Sequence, residues 1–343
     1  MTKKNGLILT SLMLAAACIL CLGIGYRLLL APQFHPQAKV HIYIDRDDTA
    51  DSVYQKLHLA ASPGNLIGLR WMARLKQYPK YVKTGRYAIL PEDNAYHVLN
   101  RLLRGHQEPI NLVIGSVRTL DRLARNVGNQ LMIDSAEIMQ TLNDTARWSR
   151  QGYTPETLPS LFIPETYQVY WNMDTEDFFT RMVQEHKRFW NKTRLAQADS
   201  LGMTPAEVST LASIVEEETN NRQEKPIVAG LYINRLRAGI PLQADPTVKF
   251  ALQDFSLRRI TNAHLNTVSP YNTYLNTGLP PGPIRIPSPE GLDAVLNYTH
   301  HNYLYMCAKD DFSGTHNFAS TYAKHMQNAR KYWNALNKRK IFK

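Results

Sequence analysis

The apolar N-terminal run is the feature that most constrains this chain. Residues 6–25 read GLILTSLMLAAACILCLGIG and contain no charged residue. At about 1.5 Å of rise per residue, a helix of this length spans roughly 30 Å, which matches the hydrocarbon core of a bilayer. Lys3 and Lys4 precede the run, and this placement favours a cytoplasmic N-terminus with an exported body. We therefore predict a transmembrane anchor at 6–26 after a cytoplasmic segment at 1–5.

Two alternatives to an uncleaved anchor remain open. Three alanines at 15–17 resemble a signal-peptidase site, and Cys18 behind them resembles a lipoprotein cysteine. Either cut would leave apolar residues such as Ile19 and Leu20 at the mature N-terminus, which is normally polar. The uncleaved anchor is preferred, and it predicts a single-pass protein of the cell (inner) membrane whose remaining chain lies outside the cytoplasm.

Charge and cysteine content narrow the choice of partners and of chemistry. The net charge is +11 at pH 7, which favours anionic partners such as lipid headgroups, an acidic polymer or nucleic acid. An exported body would rarely meet nucleic acid, so that partner is not expected. Cys307 is the single cysteine beyond the apolar run, so no disulfide framework is predicted. No zinc-site spacing or phosphate-binding loop is present, and we predict no metal and no cofactor.

Strand and helix patterns alternate after the anchor and predict an α+β fold. Residues 27–39 read as a linker, and a small α+β module is predicted at 40–106. Its predicted strands are 40–44 and 83–90, and its predicted helices are 50–59, 66–75 and 95–103. A second α+β domain is predicted at 107–343, with a strand at 110–115, helices at 118–131, 134–142 and 176–199, and an aromatic-rich segment at 161–171. Pro164 is expected to break any helix in that last segment.

The strongest local signal is the segment 203–219, MTPAEVSTLASIVEEET. Thr204 is a favourable N-cap, Pro205 occupies the favoured first helical position, and Glu207 stands three residues after the cap. This combination is a capping box, so the start of the predicted helix is well defined.

The phase of this helix separates three consecutive glutamates. With Leu211 set at 0° and about 100° per residue, Glu218 falls at about −20°, within the apolar stripe. Glu216 and Glu217 fall at about 140° and −120°, so both are expected to point away from the core. Burial raises the pKa of a carboxyl group, which suits Glu218 to general acid catalysis. The alternative is a C-terminal glutamate paired with Arg222 four residues later.

The residues around this helix also carry a resemblance to a known family. ASIVEEET (212–219) resembles the active-site helix of the MltG (YceG-like) family of endolytic transglycosylases, whose second signature glutamate aligns with Glu218. Further segments follow in the family's order: TGRY (84–87), PET (164–166), INRL (233–236), LQADPTV (242–248), SPYNTY (269–274), TGLPPGPI (277–284) and THNF (315–318). The resemblance covers nearly the whole chain. It implies that 40–106 is a LysM-like module and that 107–343 is the catalytic domain.

The resemblance also implies an activity. Members of the family cut the β-1,4 bond between MurNAc and GlcNAc in nascent glycan strands without hydrolysis. The cut leaves 1,6-anhydro-MurNAc ends and terminates strand elongation. Glu218 would act as acid and then as base, and no cofactor or metal would be needed. Peptidoglycan strands are the implied substrate, and peptidoglycan synthases are implied partners. Two other functions remain open: a hydrolytic muramidase that uses Asp245 or Glu165 beside Glu218, and a non-catalytic wall-binding scaffold.

Six further residues are candidates for binding the substrate. Gln243 and Asp245 could bind sugar hydroxyls or the N-acetyl group, although Asp245 could instead cap a helix that starts at Pro246. Aromatic faces and an amide suited to sugars are offered by Tyr271, Asn272 and Tyr274, for which packing is the alternative role. By resemblance His316 lies near the site, on a strand expected to pair with 303–308.

Overall fold

A computed structural model describes residues 3–257 and 259–339. The chain divides into two compact units. Unit 1 comprises Met1–Leu112, Gln130–Met132 and Gln168–Met173, and unit 2 comprises Val113–Asn129, Ile133–Tyr167 and Asp174–Lys343. The predicted segment 1–5 and the predicted domain 107–343 both include terminal residues that lie outside the described part of the chain.

In the first 113 residues, helices and strands follow one another in the order that the sequence predicts. They are α1 (Lys3–Leu29), β1 (Val40–Ile44), α2 (Ala50–Ala61), α3 (Ile67–Leu75), a 3₁₀ turn (Tyr78–Lys80), β2 (Gly85–Ile89), α4 (Ala95–Arg104) and β3 (Ile110–Val113). Thr49 and Asn94 cap α2 and α4, and Gly105 ends α4 with φ of +71°. The predicted strands and helices of 40–106 are confirmed as elements. The assignment of this region as LysM-like remains a prediction.

Unit 1 is built around an antiparallel strand pair covered by helices. In the register of β1 with β2, Val40 lies opposite Ile89 and Ile44 lies opposite Gly85. Fully buried apolar residues of both strands and of α2, α3 and α4 form one cluster, which includes Ile44, Leu57 and Val98. This unit therefore has its own hydrophobic core.

Helix α1 contains the apolar run at 6–25, for which the sequence predicts a helix. Its segment from Ile8 to Leu29 is long and apolar enough to cross a membrane, and none of its most apolar window is buried by the protein. A signal sequence near an N-terminus meets the same criteria, so the location in a membrane remains a prediction.

The rest of the chain is mainly helical. Its elements are α5 (Leu120–Gly128), α6 (Ser135–Leu142), α7 (Thr145–Ser149), a 3₁₀ turn (Leu158–Leu161), β4 (Thr166–Val169), α8 (Thr175–Phe189), α9 (Lys192–Ser200), α10 (Pro205–Glu218), α11 (Lys225–Arg237), α12 (Asp245–Leu252), α13 (Asn262–Leu265), α14 (Pro289–Leu296), β5 (Tyr305–Ala308), β6 (His316–Ala319) and α15 (Tyr322–Lys338). Strand β3 pairs with β4, and β5 pairs antiparallel with β6, which confirms the pairing predicted for His316's strand.

Helix α10 forms the centre of unit 2. The predicted capping box is present, because Glu207 N–H donates to Thr204 Oγ1 over 3.3 Å and Thr204 N–H donates to Glu207 Oε2 over 2.7 Å. Helices α9, α11, α12 and α14 all pack against α10. Every residue from 208 to 216 is buried. The helix is therefore enclosed on nearly all sides, and only its C-terminal end reaches a cavity.

Candidate active site

A cavity of about 380 Å³ lies in unit 2, at the C-terminal end of α10. Five of the seven residues predicted for the site line it: Glu218, Gln243, Asp245, Tyr274 and His316. They come from α10, from the loop into α12, from α12 itself, from the loop after α13 and from β6. The fold therefore brings together residues that are up to about a hundred positions apart in the sequence.

Glu218 is the last residue of α10 and lines the cavity. Tyr232 on α11 donates its hydroxyl to Glu218 Oε1 over 2.9 Å. The pKa of the Glu218 carboxyl is raised to about 7. Burial is the main cause, and the charges of Asp245 and Glu217 act in the same direction, against the lowering effects of the Tyr232 hydrogen bond and Lys249. Near neutral pH this carboxyl is therefore divided between its protonated and ionised forms, so it can both donate and accept a proton.

The pairing of Glu218 with Arg222, considered from the sequence, is not found. Arg222 extends into solvent and approaches Glu290, with Nε 3.5 Å from its Oε2. Glu218 instead points to Tyr232. The helix ends at Glu218, and Thr219 has an extended backbone, so the next turn that would align Glu218 with Arg222 does not form.

The prediction that Glu216 points away from the core is wrong. Glu216 is buried and accepts hydrogen bonds from the backbone N–H and the hydroxyl of Ser288, which caps α14. Arg285 Nε and Lys225 Nζ lie 3.6 and 3.7 Å from its carboxylate. Because α10 is enclosed on nearly all sides, its apolar stripe does not mark the only buried face. Glu216 therefore serves as an anchor for the start of α14.

Glu217 takes a third, separate arrangement. Arg118 donates to both of its carboxylate oxygens over 2.8 Å, and Arg285 Nη1 donates over 3.0 Å. Glu217 does not line the cavity of Glu218. Of the three consecutive glutamates, Glu218 alone lines that cavity.

Asp245 and Tyr274 form a hydrogen-bonded pair in the cavity. The Tyr274 hydroxyl donates to Asp245 Oδ1 over 2.6 Å. Burial, then the hydrogen bond and the charge of Asp245, raise the pKa of Tyr274, so this hydroxyl stays protonated. Asp245 is the first residue of α12, Ala244 precedes it, and no side chain caps this helix. The alternative role of Asp245 as the N-cap is therefore wrong.

Gln243 is held by the buried Arg235. Arg235 donates to the carbonyl of Pro241 over 2.9 and 2.7 Å, to the carbonyl of Leu304 over 2.7 Å, and to Gln243 Oε1 over 2.6 Å. Gln243 has φ of +53°, a left-handed backbone that is unfavourable for a residue with a side chain. The guanidinium therefore holds this amide in a defined orientation at the cavity.

Glu224 holds His316 in place. His316 is the first residue of β6, and Ala319 is the last. The backbone N–H of His316 donates to Glu224 Oε1 over 2.7 Å, and its Nδ1 lies 3.0 Å from Glu224 Oε2. Thr219, immediately after α10, donates its hydroxyl to the same carboxylate. Glu224 thereby ties the end of the helix that carries Glu218 to the strand that carries His316.

Tyr271 and Asn272 do not line the cavity. Tyr271 packs on Phe250 with ring centroids 4.7 Å apart. Asn272 is fully buried, and its amide donates to the carbonyls of Leu265 and Thr267 over 2.8 Å each. Both therefore shape the loop that presents Tyr274. Glu165, the other acidic candidate, is exposed and is not among the residues that line the cavity.

Sequence reasoning did not assign a role to Tyr232, Arg235 or His325, all of which line the cavity. Tyr232 and Arg235 stand three residues apart on α11, within or beside the INRL segment, so helical spacing could have grouped them. His325 stacks on Tyr305 with centroids 5.5 Å apart, and burial and the charge of Arg235 lower its pKa. This histidine therefore offers a neutral ring to a ligand near pH 7.

The arrangement combines one protonatable carboxyl group with several fixed polar side chains and aromatic rings. Such a cavity suits acid–base chemistry on a ligand rich in hydroxyl and amide groups. Across residues 3–257 and 259–339, no three His, Cys, Asp or Glu side chains are grouped as metal ligands.

Known proteins resemble this chain over most of its length. It is 27% identical to an endolytic murein transglycosylase of Streptococcus pneumoniae over 294 residues, which are 77% of this chain and 53% of that protein. It is 32% identical to an endolytic murein transglycosylase of Bacillus subtilis over 184 residues, which are 53% of this chain and 50% of that protein. The chain thus spans about half the length of the curated relatives it matches.

A solved structure and a family model extend this comparison. The crystal structure of a YceG-like protein from Listeria monocytogenes matches the fold with a TM-score of 0.58 and 25% sequence identity, covering 85% of this chain and 99% of that one. The model of the YceG-like family matches residues 42–331. Because this match covers well over half of the sequence, the chain belongs to the YceG-like family.

Proposed function

We propose that this protein is an endolytic lytic transglycosylase of peptidoglycan. It cuts the MurNAc–GlcNAc β-1,4 bond within nascent strands, leaves 1,6-anhydro-MurNAc ends, and so terminates strand elongation. The observation that carries the proposal is the Glu218 carboxyl, which faces a polar cavity with its pKa raised to about 7. The relatives from Streptococcus pneumoniae and Bacillus subtilis are named endolytic murein transglycosylases, which supports the class of reaction.

In the first step, protonated Glu218 acts as the general acid. It donates its proton to the glycosidic oxygen while the bond from that oxygen to C1 of MurNAc breaks. The departing strand leaves with a neutral hydroxyl group, the MurNAc ring is left as an oxocarbenium ion at C1, and Glu218 becomes a carboxylate. Tyr232, which donates to Glu218 Oε1, stabilises this ionised form.

In the second step, the Glu218 carboxylate acts as the base. It accepts the proton of the MurNAc C6 hydroxyl as the C6 oxygen bonds to C1 and closes the 1,6-anhydro ring. The proton lost in the first step is thereby returned, and no water is consumed. The nucleophile belongs to the substrate, so its attack is intramolecular and gains from its preset proximity.

The other polar groups of the cavity position the sugar. The Asp245–Tyr274 pair and the amide of Gln243, oriented by Arg235, offer hydrogen bonds to hydroxyl and N-acetyl groups. His316, which Glu224 fixes, offers its Nε2. These groups bind the substrate and leave the proton transfers to Glu218.

A hydrolytic muramidase is the second candidate. A retaining hydrolase places two carboxylates about 5–5.5 Å apart, and an inverting one places them roughly 6.5–9.5 Å apart. Asp245 lines the same cavity as Glu218 and is the residue that could fill the second role. In the proposed lyase reaction Asp245 binds the sugar together with Tyr274 and takes no part in the proton transfers. The two candidates differ in whether solvent oxygen enters the product.

The test compares products of the full chain in detergent micelles, incubated with purified peptidoglycan in oxygen-18 water. We expect anhydro-MurNAc ends from wild type, none from Glu218→Gln, and wild-type products from the control Glu165→Gln, whose side chain is exposed outside the cavity. Reducing ends that carry oxygen-18 would establish hydrolysis instead. Binding of the polymer without cleavage by any of the three proteins would favour a wall-binding scaffold.

We also propose that α1 is a single-pass anchor in the cell (inner) membrane and that both units lie outside the cytoplasm. The length and apolar character of Ile8–Leu29 support this location. A LysM-like module at 40–106, a catalytic domain at 107–343 and contact with peptidoglycan synthases belong to the same proposal. Protease added to spheroplasts should digest the body of the protein, and protection of the body would contradict the orientation.

A further inference from the structure

Helix α3 carries an apolar stripe that unit 1 does not cover. Ile67, Trp71 and Leu75 are 65%, 57% and 63% exposed. They recur every four residues, so they lie on one face of the helix. Leu69 and Ala73, on another face, are buried in the core of unit 1. The exposed stripe is therefore additional to the face that holds the helix in place.

This stripe lies beside the end of the apolar helix α1. Gly68 contacts the last turn of α1 so closely that a Cβ atom at this position would stand 1.9 Å from the carbonyl oxygen of Leu28. At about 100° per residue, Leu75 falls about 20° from Gly68 around α3, and Trp71 about 60°. The stripe thus flanks the face of α3 that meets α1. The apolar segment of α1 ends at Leu29, one residue beyond this contact.

The chain after α1 is fixed to unit 1 by several bonds. The backbone N–H groups of Gln33 and Phe34 donate to the carbonyl of Asp93 over 2.9 and 3.1 Å. Asn94 Nδ2 donates to the carbonyl of Leu30 over 3.1 Å. Phe34 is fully buried in the core of unit 1. The end of α1 is therefore attached to unit 1 without a free linker, and α3 is held at the level where α1 would leave a bilayer.

The charge around the stripe matches an anionic lipid surface. Residues 52–91 contain seven Lys or Arg residues and no Asp or Glu. Four of the seven lie on or just after α3 and are exposed: Arg70, Arg74, Lys76 and Lys80. Basic residues near a membrane surface are attracted to anionic lipid headgroups. Basic residues that flank a Trp-containing apolar face are typical of a helix that lies in the membrane interface.

From these observations we infer that α3 is an interfacial helix of the membrane that α1 crosses. Ile67, Trp71 and Leu75 enter the boundary between headgroups and acyl chains, and the neighbouring basic residues meet lipid phosphates. The inference rests on the proposed anchoring by α1. Its consequence is a second contact that fixes unit 1 against the bilayer surface, so that unit 1 cannot swing freely about the end of α1.

The test uses the full chain in liposomes that contain an anionic phospholipid, with Cys18, Cys21 and Cys307 replaced by Ser. A nitroxide label is placed at Trp71→Cys, and the control label is placed at Asp51→Cys, exposed in the first turn of α2. Flotation with the liposomes first establishes that α1 is inserted. Power-saturation spectroscopy then compares collisions of each label with oxygen, which partitions into lipid, and with a water-soluble nickel chelate.

We expect the label at 71 to lose collisions with the nickel chelate and gain collisions with oxygen, relative to the label at 51. Adding Ile67→Ser and Leu75→Ser should reverse this shift, while flotation by α1 remains. A second measurement avoids the label: brominated lipids should quench the fluorescence of wild type more than that of Trp71→Phe. Flotation with a water-exposed label and equal quenching would overturn the inference and leave the anchor intact. Failure of the protein to float with the liposomes would contradict both the anchor α1 and the interfacial helix α3.

Discussion

Glu216 and Glu218 show how position alone gives two identical side chains different roles. Glu216 is enclosed by Ser288, Arg285 and Lys225, which satisfy its charge. Glu218 has one hydrogen-bond donor, Tyr232, and its pKa is raised chiefly by burial. A buried carboxylate whose charge is balanced by hydrogen-bond donors and cations stabilises the fold. A buried carboxylate with few such partners can exchange a proton near neutral pH.

The first prediction concerns stability and the charge of Glu218. Its pKa is about 7 in the folded protein, against 4.5 for an unperturbed glutamate, so the stability that it contributes is present below pH 4.5 and is lost as pH rises through 7. At 1.36 kcal/mol per pKa unit, the full loss is about 3 kcal/mol. Glu218→Gln stays neutral at every pH. Between pH 5 and pH 8 we therefore expect this variant to gain up to about 3 kcal/mol of unfolding free energy relative to wild type.

Urea unfolding of both proteins at pH 5, 6, 7 and 8 measures this difference directly. Other titrating groups are common to the two proteins and cancel in the comparison. Parallel stability curves for wild type and Glu218→Gln would mean that the pKa of Glu218 is not raised in the folded protein.

A second prediction concerns the hydrogen bond from Tyr232. This bond stabilises ionised Glu218, so Tyr232→Phe should raise the pKa of Glu218 and move the fall of kcat/KM with pH to higher pH. We also expect a loss in kcat of about tenfold or more, because a hydrogen bond to a charged group contributes about 1.5–3 kcal/mol. The control Tyr271→Phe, whose ring packs on Phe250 outside the cavity, should keep the wild-type pH profile. A lower kcat with an unshifted profile would assign Tyr232 a packing role.

At the scale of elements, the sequence predicts helix starts better than it predicts buried faces. The capping box of Thr204 and Glu207 defines the start of α10, because these bonds involve residues three apart. The burial of Glu216 depends on Ser288 and Arg285, about seventy positions away, and no local period encodes such contacts. For the same reason the sequence predicts a shared site for Tyr271, Asn272 and Tyr274, although the contacts of Tyr271 and Asn272 direct them away from the cavity.

The third prediction concerns the contact between α10 and α14. Glu216→Ala removes a buried carboxylate that accepts from the Ser288 N–H and lies beside Arg285 and Lys225. Removing one member of a buried ion pair costs about 3–5 kcal/mol, and we expect the lower end because Arg285 keeps its bond to Glu217. Glu290 also contacts Lys225, at 2.8 Å, but its side chain is 39% exposed. The control Glu290→Ala should therefore cost about 1 kcal/mol or less. Urea unfolding at pH 7 measures the loss of unfolding free energy in the two variants. Equal losses would show that Glu216 contributes no more to stability than the exposed ion pair of Glu290 and Lys225.

At the scale of the whole molecule, the sequence predicts the order of elements but not how distant segments combine. Residues 130–132 and 168–173 belong to unit 1, although most of unit 1 precedes residue 113. The five predicted residues that line the cavity likewise come from five separated segments. Local patterns report which face of an element is apolar, and they carry no information on which distant face covers it. The family motifs supplied that information for Glu218, Gln243, Asp245, Tyr274 and His316, because they mark positions that meet in the folded chain.

The last prediction follows from the net charge of +11. If peptidoglycan is the substrate, as proposed, the carboxylates of its stem peptides should make part of its attraction to this protein electrostatic, and this part should weaken with salt. The Debye length falls from about 30 Å at 0.01 M to about 3 Å at 1 M ionic strength. Sedimentation of the Glu218→Gln variant of this chain with peptidoglycan, in a neutral detergent, should therefore show less bound protein as salt rises through this range. Chitin has the same N-acetylglucosamine chemistry without carboxylates and serves as the matched control. Equal salt dependence on the two polymers would show that the charge of the protein acts elsewhere, for example at the lipid surface.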